Sequence, residues 1–204
     1  MSTSRPRLAI YGGAFNPPTV GHAAAAEMLL RSGFERVIVM PCYGHSFGKS
    51  LAPAGDRLLM ASECFRHLPQ VRVSSFEIDL GMNGSTYELV QKLPQFAEYA
   101  THEIFMAIGS DEANLIHRWR RNEELRQQIA FAIIPRAGHP LNDAGAWARH
   151  APHRVLSTET QAVEISSTLA RQTLAAGDTV RTSRLVGPRI LNHILERSLY
   201  PCTA

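Results

Sequence analysis

Apolar residues occur along this chain in short continuous runs that alternate with longer stretches of mixed character. Short runs rich in β-branched residues are typical of strands buried on both faces, whereas apolar residues spaced three or four apart are typical of helices. The runs predict strands over residues 7–11, 36–40, 71–74, 103–108, 130–135 and 154–156. Helical spacing is found over residues 20–32, 56–67, 111–118, 122–128, 166–176 and 188–197, and from near Ser85.

Strands that alternate with helices predict a doubly wound α/β fold, with one parallel sheet covered on both faces in a single domain. The helix over 56–67 is expected to bury one face, made of Leu58, Leu59, Ala61, Cys64, Phe65 and Leu68. Gly177 is placed to end the helix over 166–176. Residues 136–153 contain Gly, Pro, Asn and His, which predicts an exposed connection. Ligands of such sheets bind beyond the carboxyl ends of the strands, so the loops after the first, second and fourth strands should carry the chemistry.

Composition narrows the function classes. The 204 residues are 45% hydrophobic with a formal charge of +3, which suits an anionic small molecule but is too weak and too evenly spread for nucleic acid. Neither a signal peptide nor an apolar run of transmembrane length is present, so we expect a soluble protein without a membrane partner. Cys42, Cys64 and Cys202 are odd in number and far apart. They predict neither a disulfide framework nor a zinc site, and they favour the cytoplasm.

The first loop carries the string GGAFNPPTVGH over residues 12–22. Paired glycines allow close approach to a ligand and expose backbone amides to phosphate oxygens. Thr19 and His22 lie one helical turn apart at the positive end of the following helix, which predicts an anion site. The alternative is a plain strand–turn–helix corner with a capping threonine and a surface histidine.

A second candidate is Ile165–Arg171, which follows Glu164. Ser166 is a good N-cap, and Ser167 and Thr168 add hydroxyls in the first turn. These serines would also fit an ordinary well-capped helix. Arg171 does not fit that alternative, because a cation near a helix N-terminus is unfavourable by about 0.3–1 kcal/mol unless an anion binds there.

Other candidates follow the fourth strand. Gly109 and Asp111 stand at its end, and Trp119 offers an aromatic surface suited to a flat heterocycle. The alternative is an N-cap aspartate and a core tryptophan. We assign Arg118, Arg120 and Arg121 to a solvated helix face. His139, His150 and His153 lack a metal-binding spacing and are expected at the surface, so no metal ligand from the protein is predicted.

Two of these strings resemble known motifs. Thr19-Val20-Gly21-His22 resembles the His/Thr-x-Gly-His motif of the nucleotidyltransferase superfamily, and Ile165–Arg171 is similar to the Ile-Ser-Ser-Thr-x-x-Arg signature of nicotinate/nicotinamide mononucleotide adenylyltransferases. The resemblance covers nearly the whole chain and implies a Rossmann-like nucleotidyltransferase fold. The implied reaction, a step of NAD biosynthesis, is adenylyl transfer from ATP to nicotinate or nicotinamide mononucleotide, with Mg²⁺ accompanying ATP. Homo-oligomer formation and the choice between the two mononucleotides stay open.

The resemblance also implies roles for individual residues. Catalytic roles fall to Thr19, His22, Lys49 and Arg171, where Lys49 is the lysine expected on the loop after the second strand. Many bacterial relatives write this loop as Pro-His-Lys, whereas here His45 and Lys49 are separated, so the lysine register stays open. The implied ATP-binding residues are Gly12, Gly13, Ala14, Phe15, Gly21, His22, Gly109, Asp111, Ser166, Ser167, Thr168 and Arg171. Those implied for the mononucleotide are Phe15, Asn16, Lys49, Thr86, Tyr87, Trp119 and Arg136.

Under this interpretation residues 1–204 form one nucleotidyltransferase domain, whose helical part from about residue 160 carries the second phosphate site. Two alternatives remain. One is another transferase of the superfamily, such as a phosphopantetheine adenylyltransferase. The other is a non-catalytic dinucleotide-binding protein. Whether Trp119 stacks on the pyridine ring or packs in the core is also open.

Overall fold

A computed structural model describes residues 5–44, 50–82, 84–157 and 165–200. In this part of the chain one sheet of parallel strands has the order β3-β2-β1-β4-β5-β6. The strands are β1 (Arg7–Gly13), β2 (Arg36–Pro41), β3 (Val71–Val73), β4 (Glu103–Gly109), β5 (Ala130–Ile134) and β6 (Arg154–Val155). Each corresponds to a predicted strand, and the doubly wound single-domain α/β fold is confirmed.

Helices cover both faces of the sheet. They are α1 (Val20–Arg31), α2 (Ala54–Phe65), α3 (Phe76–Asp79), α4 (Thr86–Lys92), α5 (Ser110–Asn114), α6 (Asn122–Gln128), α7 (Ser167–Ala175), α8 (Thr179–Val186) and α9 (Pro188–Glu196). Short 3₁₀ turns span Leu93–Gln95, Ala97–Ala100, Ile116–Arg118 and Asp143–Arg149. No helix among the described residues combines the length and the apolar character that crossing a membrane requires.

Alternation along each strand divides the core in two. Leu8 and Ile10 of β1 pack into one apolar cluster, whereas Ala9 packs into the other on the opposite face. Because both faces are covered, both sets of side chains are apolar, which explains the continuous runs in the sequence. A third cluster joins α7, α8 and α9 to Met60 of α2. The C-terminal helices therefore pack against α2 and, through α8, against α1.

The predicted buried face of α2 is partly wrong. Leu59 is 61% exposed, whereas Asp56, Arg57 and Met60 on the same helix are buried. The helix turns Met60 toward the C-terminal cluster and Phe65 toward the sheet, so its buried surface is set by two neighbours. The two charged residues escape an apolar-periodicity argument because they are buried with polar partners.

Three further predictions need correction. The helix expected over 111–118 is divided into α5 and the turn Ile116–Arg118. The segment 136–153 is not wholly exposed, because its 3₁₀ turn buries Ala148 and packs Trp147 edge-on against Phe131. His153 is not a plain surface residue either. Its Nδ1 accepts the Phe131 N–H at 3.2 Å, and its ring contacts Trp147.

The C-terminal helices contain one element that the sequence did not predict. Gly177 ends α7 with φ +72°, as expected for a C′ glycine. Asp178 then starts the missed helix α8 by accepting the Arg181 N–H at 2.9 Å. A helix end and a new N-cap in consecutive residues leave little spacing from which to predict a separate helix.

Candidate active site

The candidate site lies where the order of the strands reverses, between β1 and β4. Loops at the carboxyl edge of β1, β2 and β4 surround an open cavity of about 1670 Å³. Most of the predicted site residues line this cavity: Gly12, Gly13, Ala14, Phe15, Gly21, His22, Thr86, Tyr87, Gly109, Asp111, Trp119, Arg136 and Ser166. The fold therefore brings together residues from five separate segments of the sequence. Lys49 and His45 lie outside the described residues.

The turn after β1 holds Phe15 in an unusual backbone conformation. Its φ of +47° lies in the left-handed region, which costs a residue with a Cβ atom about 1–2 kcal/mol. The side chain is 2% exposed, and its ring meets the edges of Tyr11 and Phe65 at centroid distances of 5.6 and 6.0 Å. Packing on several sides thus maintains a turn that an isolated peptide would not adopt.

His22 has a defined tautomer. Its Nδ1 accepts the backbone N–H of Thr19 at 3.0 Å and lies 2.8 Å from the Thr19 hydroxyl. Since Nδ1 is an acceptor, the ring proton of the neutral imidazole is on Nε2. Burial, reinforced by the positive charge of Arg136, lowers the pKa of His22 to about 4. A neutral ring with an Nε2–H donor therefore lines the cavity at pH 7.

Thr19 is fully buried and does not line the cavity. It caps α1 and orients His22, as in a capping box where the residue at the third helical position returns a bond to the cap. The plain capping interpretation thus describes Thr19 well. It does not describe His22, whose ring rests on Phe15 at a centroid distance of 5.1 Å and faces the cavity rather than the outer surface.

The end of β4 presents a carboxylate with an unused oxygen. Arg136 Nη1 donates to Asp111 Oδ2 at 2.6 Å, whereas Oδ1 is buried and has no hydrogen-bond partner among the described residues. A Cβ atom at Gly109 would lie 2.2 Å from that Oδ1 and 2.8 Å from Arg136 Cδ. A side chain at Gly109 would have to displace both members of this pair, and the free oxygen suits a ligand hydroxyl.

Trp119 and Tyr87 also line the cavity. Trp119 is half-buried, donates through Nε1 to Glu112 Oε2 at 3.3 Å, and packs against the core with part of its ring. Tyr87 donates to Glu124 at 3.3 Å and lies beneath the Arg121 guanidinium at 4.9 Å. Arg120 forms an ion pair with Glu88. Protein contacts thus occupy Arg120 and Arg121, while Trp119 combines core packing with exposure to the cavity.

The N-terminus of α7 is docked onto the first turn. Ser166 caps the helix by accepting the Leu169 N–H at 3.1 Å and lines the cavity. Ser167 Oγ donates to Pro17 O at 2.8 Å, and Arg171 Nη1 donates to Asn16 O at 2.7 Å. Arg171 Nη2 also lies 3.4 Å from Thr168 Oγ1. Ser167, Thr168 and Arg171 are not among the residues that line the cavity.

Two details complete this junction. Asn16 is buried, and its side-chain Oδ1 accepts the Ala52 N–H at 2.9 Å. A Cβ atom on Gly21 would lie 2.9 Å from the carbonyl oxygen of Ile165. α1 and the segment before α7 therefore approach each other closely at Gly21, and a side chain there would push them apart.

The cavity has lining residues that the sequence did not identify, among them Tyr11, Cys42 and Glu77. Burial raises the pKa of the Tyr11 phenol, so its proton is retained. Glu77 is 4% exposed, its Oε1 has no hydrogen-bond partner among the described residues, and burial raises its pKa to about 7. Tyr11 directly precedes the glycine pair, which could have indicated it. No periodicity marks a single buried carboxylate such as Glu77.

The side chains that could bind a metal ion are those of His, Cys, Asp and Glu. No group of three or more His, Cys, Asp or Glu side chains in the described parts of the chain is placed to hold an ion. Asp111 and Arg136, which both line the cavity, are joined to each other by a hydrogen bond.

Comparisons with known proteins agree with this geometry. Residues 10–173 match the family described as cytidylyltransferase-like. The chain is 32% identical over 197 residues to a probable nicotinate-nucleotide adenylyltransferase of Anaeromyxobacter sp. (strain K), covering 95% of this chain and 96% of that protein. It is 34% identical over 201 residues to a protein of the same description from Saccharopolyspora erythraea, covering 96% and 90%.

Among solved structures, the fold is similar to that of the Plasmodium falciparum nicotinic acid mononucleotide adenylyltransferase complexed with NaAD. The TM-score is 0.82 at 21% identity, with 96% of this chain and 97% of that one covered. At this identity the likeness concerns the fold, and it extends over the whole architecture including the C-terminal helices.

Proposed function

This chain belongs to the cytidylyltransferase-like family and, within it, to the nicotinate-nucleotide adenylyltransferases, and from this premise we propose that it joins ATP to nicotinate mononucleotide. The products are pyrophosphate and the NAD-type dinucleotide. The observation that carries the proposal is that the phosphate turn, Trp119 and Tyr87 all line one cavity at the switch point. The cavity of about 1670 Å³ is larger than a usual small-molecule site, and its lining also extends along α1 to Ser32.

The reaction we propose is direct displacement. An oxygen of the mononucleotide 5′-phosphate forms a bond to the α-phosphorus of ATP while the bond from that phosphorus to the pyrophosphate oxygen breaks. The attacking phosphate is already anionic at pH 7, so no general base and no covalent intermediate is required. Alignment and stabilisation of the transferring charge supply the rate enhancement.

His22 supplies the central donor in this scheme. Its Nε2–H donates to a phosphate oxygen while Nδ1 remains bonded to Thr19. The glycine pair Gly12-Gly13 allows the phosphate to approach the backbone, and the N-terminus of α1 adds the favourable end of a helix dipole. As negative charge moves to the leaving pyrophosphate, these groups stay fixed and need no rearrangement.

Asp111 is proposed to bind the ribose of ATP through its unpartnered Oδ1. Arg136 holds the other oxygen and so keeps the carboxylate oriented. Gly109 leaves the space that this pair occupies. Ser166, Thr168, Arg171 and Lys49 are proposed to contact the outer phosphates. For Arg171 this requires N–H groups other than the one bonded to Asn16 O.

The pyridine end of the mononucleotide is assigned to Trp119, with Thr86 and Tyr87 at the start of α4. An aromatic face suits a flat, partly cationic ring. The names of the relatives that are more than 30% identical favour the nicotinate form over nicotinamide. Asn16, by contrast, is proposed to act through Ala52 rather than by direct contact, since it is buried outside the cavity.

Mg²⁺ is proposed to accompany ATP, where it would neutralise part of the phosphate charge. Its ligands would be phosphate oxygens and water. The proposed partners are the two small-molecule substrates, without nucleic acid or membrane. A cytoplasmic location remains a prediction from the cysteine content, and assembly into a homo-oligomer remains open.

The test is pyrophosphate release from ATP with nicotinate and nicotinamide mononucleotide in parallel, followed by mass spectrometry of the dinucleotide. We expect product with nicotinate mononucleotide and much less with nicotinamide mononucleotide. CTP in place of ATP and phosphopantetheine in place of the mononucleotide test the other transferases of the superfamily. Binding of both nucleotides without pyrophosphate release would instead indicate a non-catalytic dinucleotide-binding protein.

A further inference from the structure

Arg57 is a charged side chain in the interior of the molecule. It lies on α2, is 0% exposed, and is not among the residues that line the cavity. A buried guanidinium is strongly unfavourable unless its N–H groups are satisfied, so its position requires an explanation from its contacts.

Those contacts are with backbone carbonyls of three separate places. Nη1 donates to Ala14 O at 2.8 Å, Nη2 to Tyr43 O at 2.9 Å, and Nε to Ala52 O at 2.9 Å. Ala14 belongs to the phosphate turn after β1. Tyr43 and Ala52 stand at the start and near the end of the loop after β2. The planar guanidinium of Arg57 thus holds both ends of the loop after β2 against the phosphate turn after β1.

The bond to Ala14 fixes one peptide plane of the phosphate turn. The Ala14–Phe15 peptide is trans, so its C=O and N–H point in opposite directions. With the carbonyl directed at Arg57, the Phe15 N–H faces away from it, and Phe15 adopts its positive φ of +47°. The Phe15 ring then supports His22 at a centroid distance of 5.1 Å.

A second bond reinforces the same junction. The Ala52 N–H donates to Asn16 Oδ1 at 2.9 Å while the Ala52 carbonyl accepts from Arg57. The phosphate turn and the end of the loop after β2 are therefore joined twice. Arg57 links Ala52 to Ala14, and Ala52 bonds directly to Asn16, so the two connections lie on either side of Phe15. The buried carboxyl of Glu77 faces this region and is influenced by the charge of Arg57.

We propose that Arg57 is a positioning residue for catalysis, whose forked donors set the conformation of the phosphate turn at Phe15 and thereby the placement of His22. The inference rests on the proposed function, because it concerns the same reaction. Arg57 touches no substrate. Its effect is transmitted through the Ala14 carbonyl, the Phe15 backbone and the Phe15–His22 ring contact.

The test compares Arg57→Lys and Arg57→Met with the matched control Arg66→Met. Arg66 ends the same helix, pairs with Glu63 at 2.9 Å, and has a side chain that is 57% exposed. Lysine keeps the charge but offers its donors from one atom and cannot span three carbonyls. We expect kcat to fall about 100-fold in both Arg57 variants, as for a misplacement of catalytic groups by about 1 Å, with little change in either KM.

Because misfolded protein would also lower the apparent kcat, each variant is assayed well below its own melting temperature, with the folded fraction measured by circular dichroism. A nuclear Overhauser effect between the rings of Phe15 and His22 gives a second readout independent of turnover. We expect it in the wild type and the control and expect it to weaken in both Arg57 variants.

The outcomes separate the two hypotheses. If the wild-type protein makes no dinucleotide, the proposed function fails, whereas loss of the ring contact in the variants still reports on Arg57. If the wild type is active and Arg57→Lys keeps its kcat and ring contact, then charge alone suffices and the positioning role is wrong. Failure of both variants to fold at any temperature would make Arg57 a folding residue and would equally overturn it.

Discussion

The turn after β1 and the N-terminus of α7 use their polar groups in opposite directions. The turn presents Gly12, Gly13 and His22 to the cavity and keeps Thr19 behind them. In α7, Ser166 reaches the cavity, but Ser167 and Arg171 donate to carbonyls of the turn itself. The first segment therefore faces the ligand, while much of the second faces the first.

How specifically a motif identifies a family and what its residues contact are therefore two different properties. The string Ile165–Arg171 identifies the family more specifically than the turn does, yet most of its polar contacts are made within the protein. Its side chains stabilise a turn that contains a strained Phe15 and two prolines. We infer that part of the second motif serves catalysis by holding the first in place, and that Arg171 has both a structural and a ligand-binding role.

The largest expected effect is on the turn. His22→Asn keeps an acceptor near Nδ1 for the Thr19 N–H but removes the Nε2–H donor, whereas His22→Gln places an amide N–H near Nε2. We expect kcat to fall about 100- to 1,000-fold in the Asn variant, as for loss of a donor to a developing charge, and less in the Gln variant. Steady-state kinetics with thermal unfolding as the folding control would measure this. Equal, near-normal turnover in both variants would contradict the role of His22.

An intermediate effect is expected in α7. Arg171→Met removes the bond to Asn16 O at 2.7 Å, and a hydrogen bond from a charged donor contributes about 1.5–3 kcal/mol. The free protein should therefore be less stable, contrary to the expectation from helix-dipole repulsion alone, and KM for ATP should rise. Arg184→Met, an exposed position on α8, is the control. A variant as stable as the wild type, with only KM altered, would show that Arg171 acts on the ligand alone.

The smallest expected effect is a pH-dependent change in thermal stability caused by Glu77. The pKa of Glu77 is raised to about 7 by burial, so the fold favours its protonated form. Below about pH 4.5, Glu77 is protonated in the unfolded chain as well as in the folded protein, and its stabilising contribution to the free energy of unfolding is fully present. It is lost as pH rises through 7. Glu77→Gln should therefore melt a few degrees above the wild type at pH 8 and close to it at pH 4.5. Parallel melting curves at both values would contradict an ionising buried Glu77.

The sheet could be predicted from sequence because its strands are covered on both faces. After Arg36, residues 37–40 have no polar position to confuse the run with an amphipathic helix. The C-terminal half of the 111–118 stretch could not be predicted in the same way. There Ile116–Arg118 forms a 3₁₀ turn instead of continuing the α-helix, and apolar residues at helical spacing do not distinguish the two.

The site was predictable wherever a motif places small or aromatic residues next to a strand end. Gly109 and Asp111 were identified in this way, and the orphan oxygen of Asp111 adds a physical reason. Arg57 and Glu77 were not identified, since a single buried charge resembles a surface residue when only periodicity is considered. The burial of Arg57 depends on carbonyls brought together by two different loops, which only the folded chain reveals.

The contact between Gly21 and Ile165 has a consequence for recombination between relatives. A chimaera that takes its first strand and helix from one protein and its C-terminal helices from another would join two surfaces that touch at 2.9 Å, measured from a Cβ placed on Gly21. The carbonyls of Asn16 and Pro17 would also have to meet matching donors. Functional crossovers should therefore inherit both segments from a single parent, although nearly the whole sheet separates them along the chain.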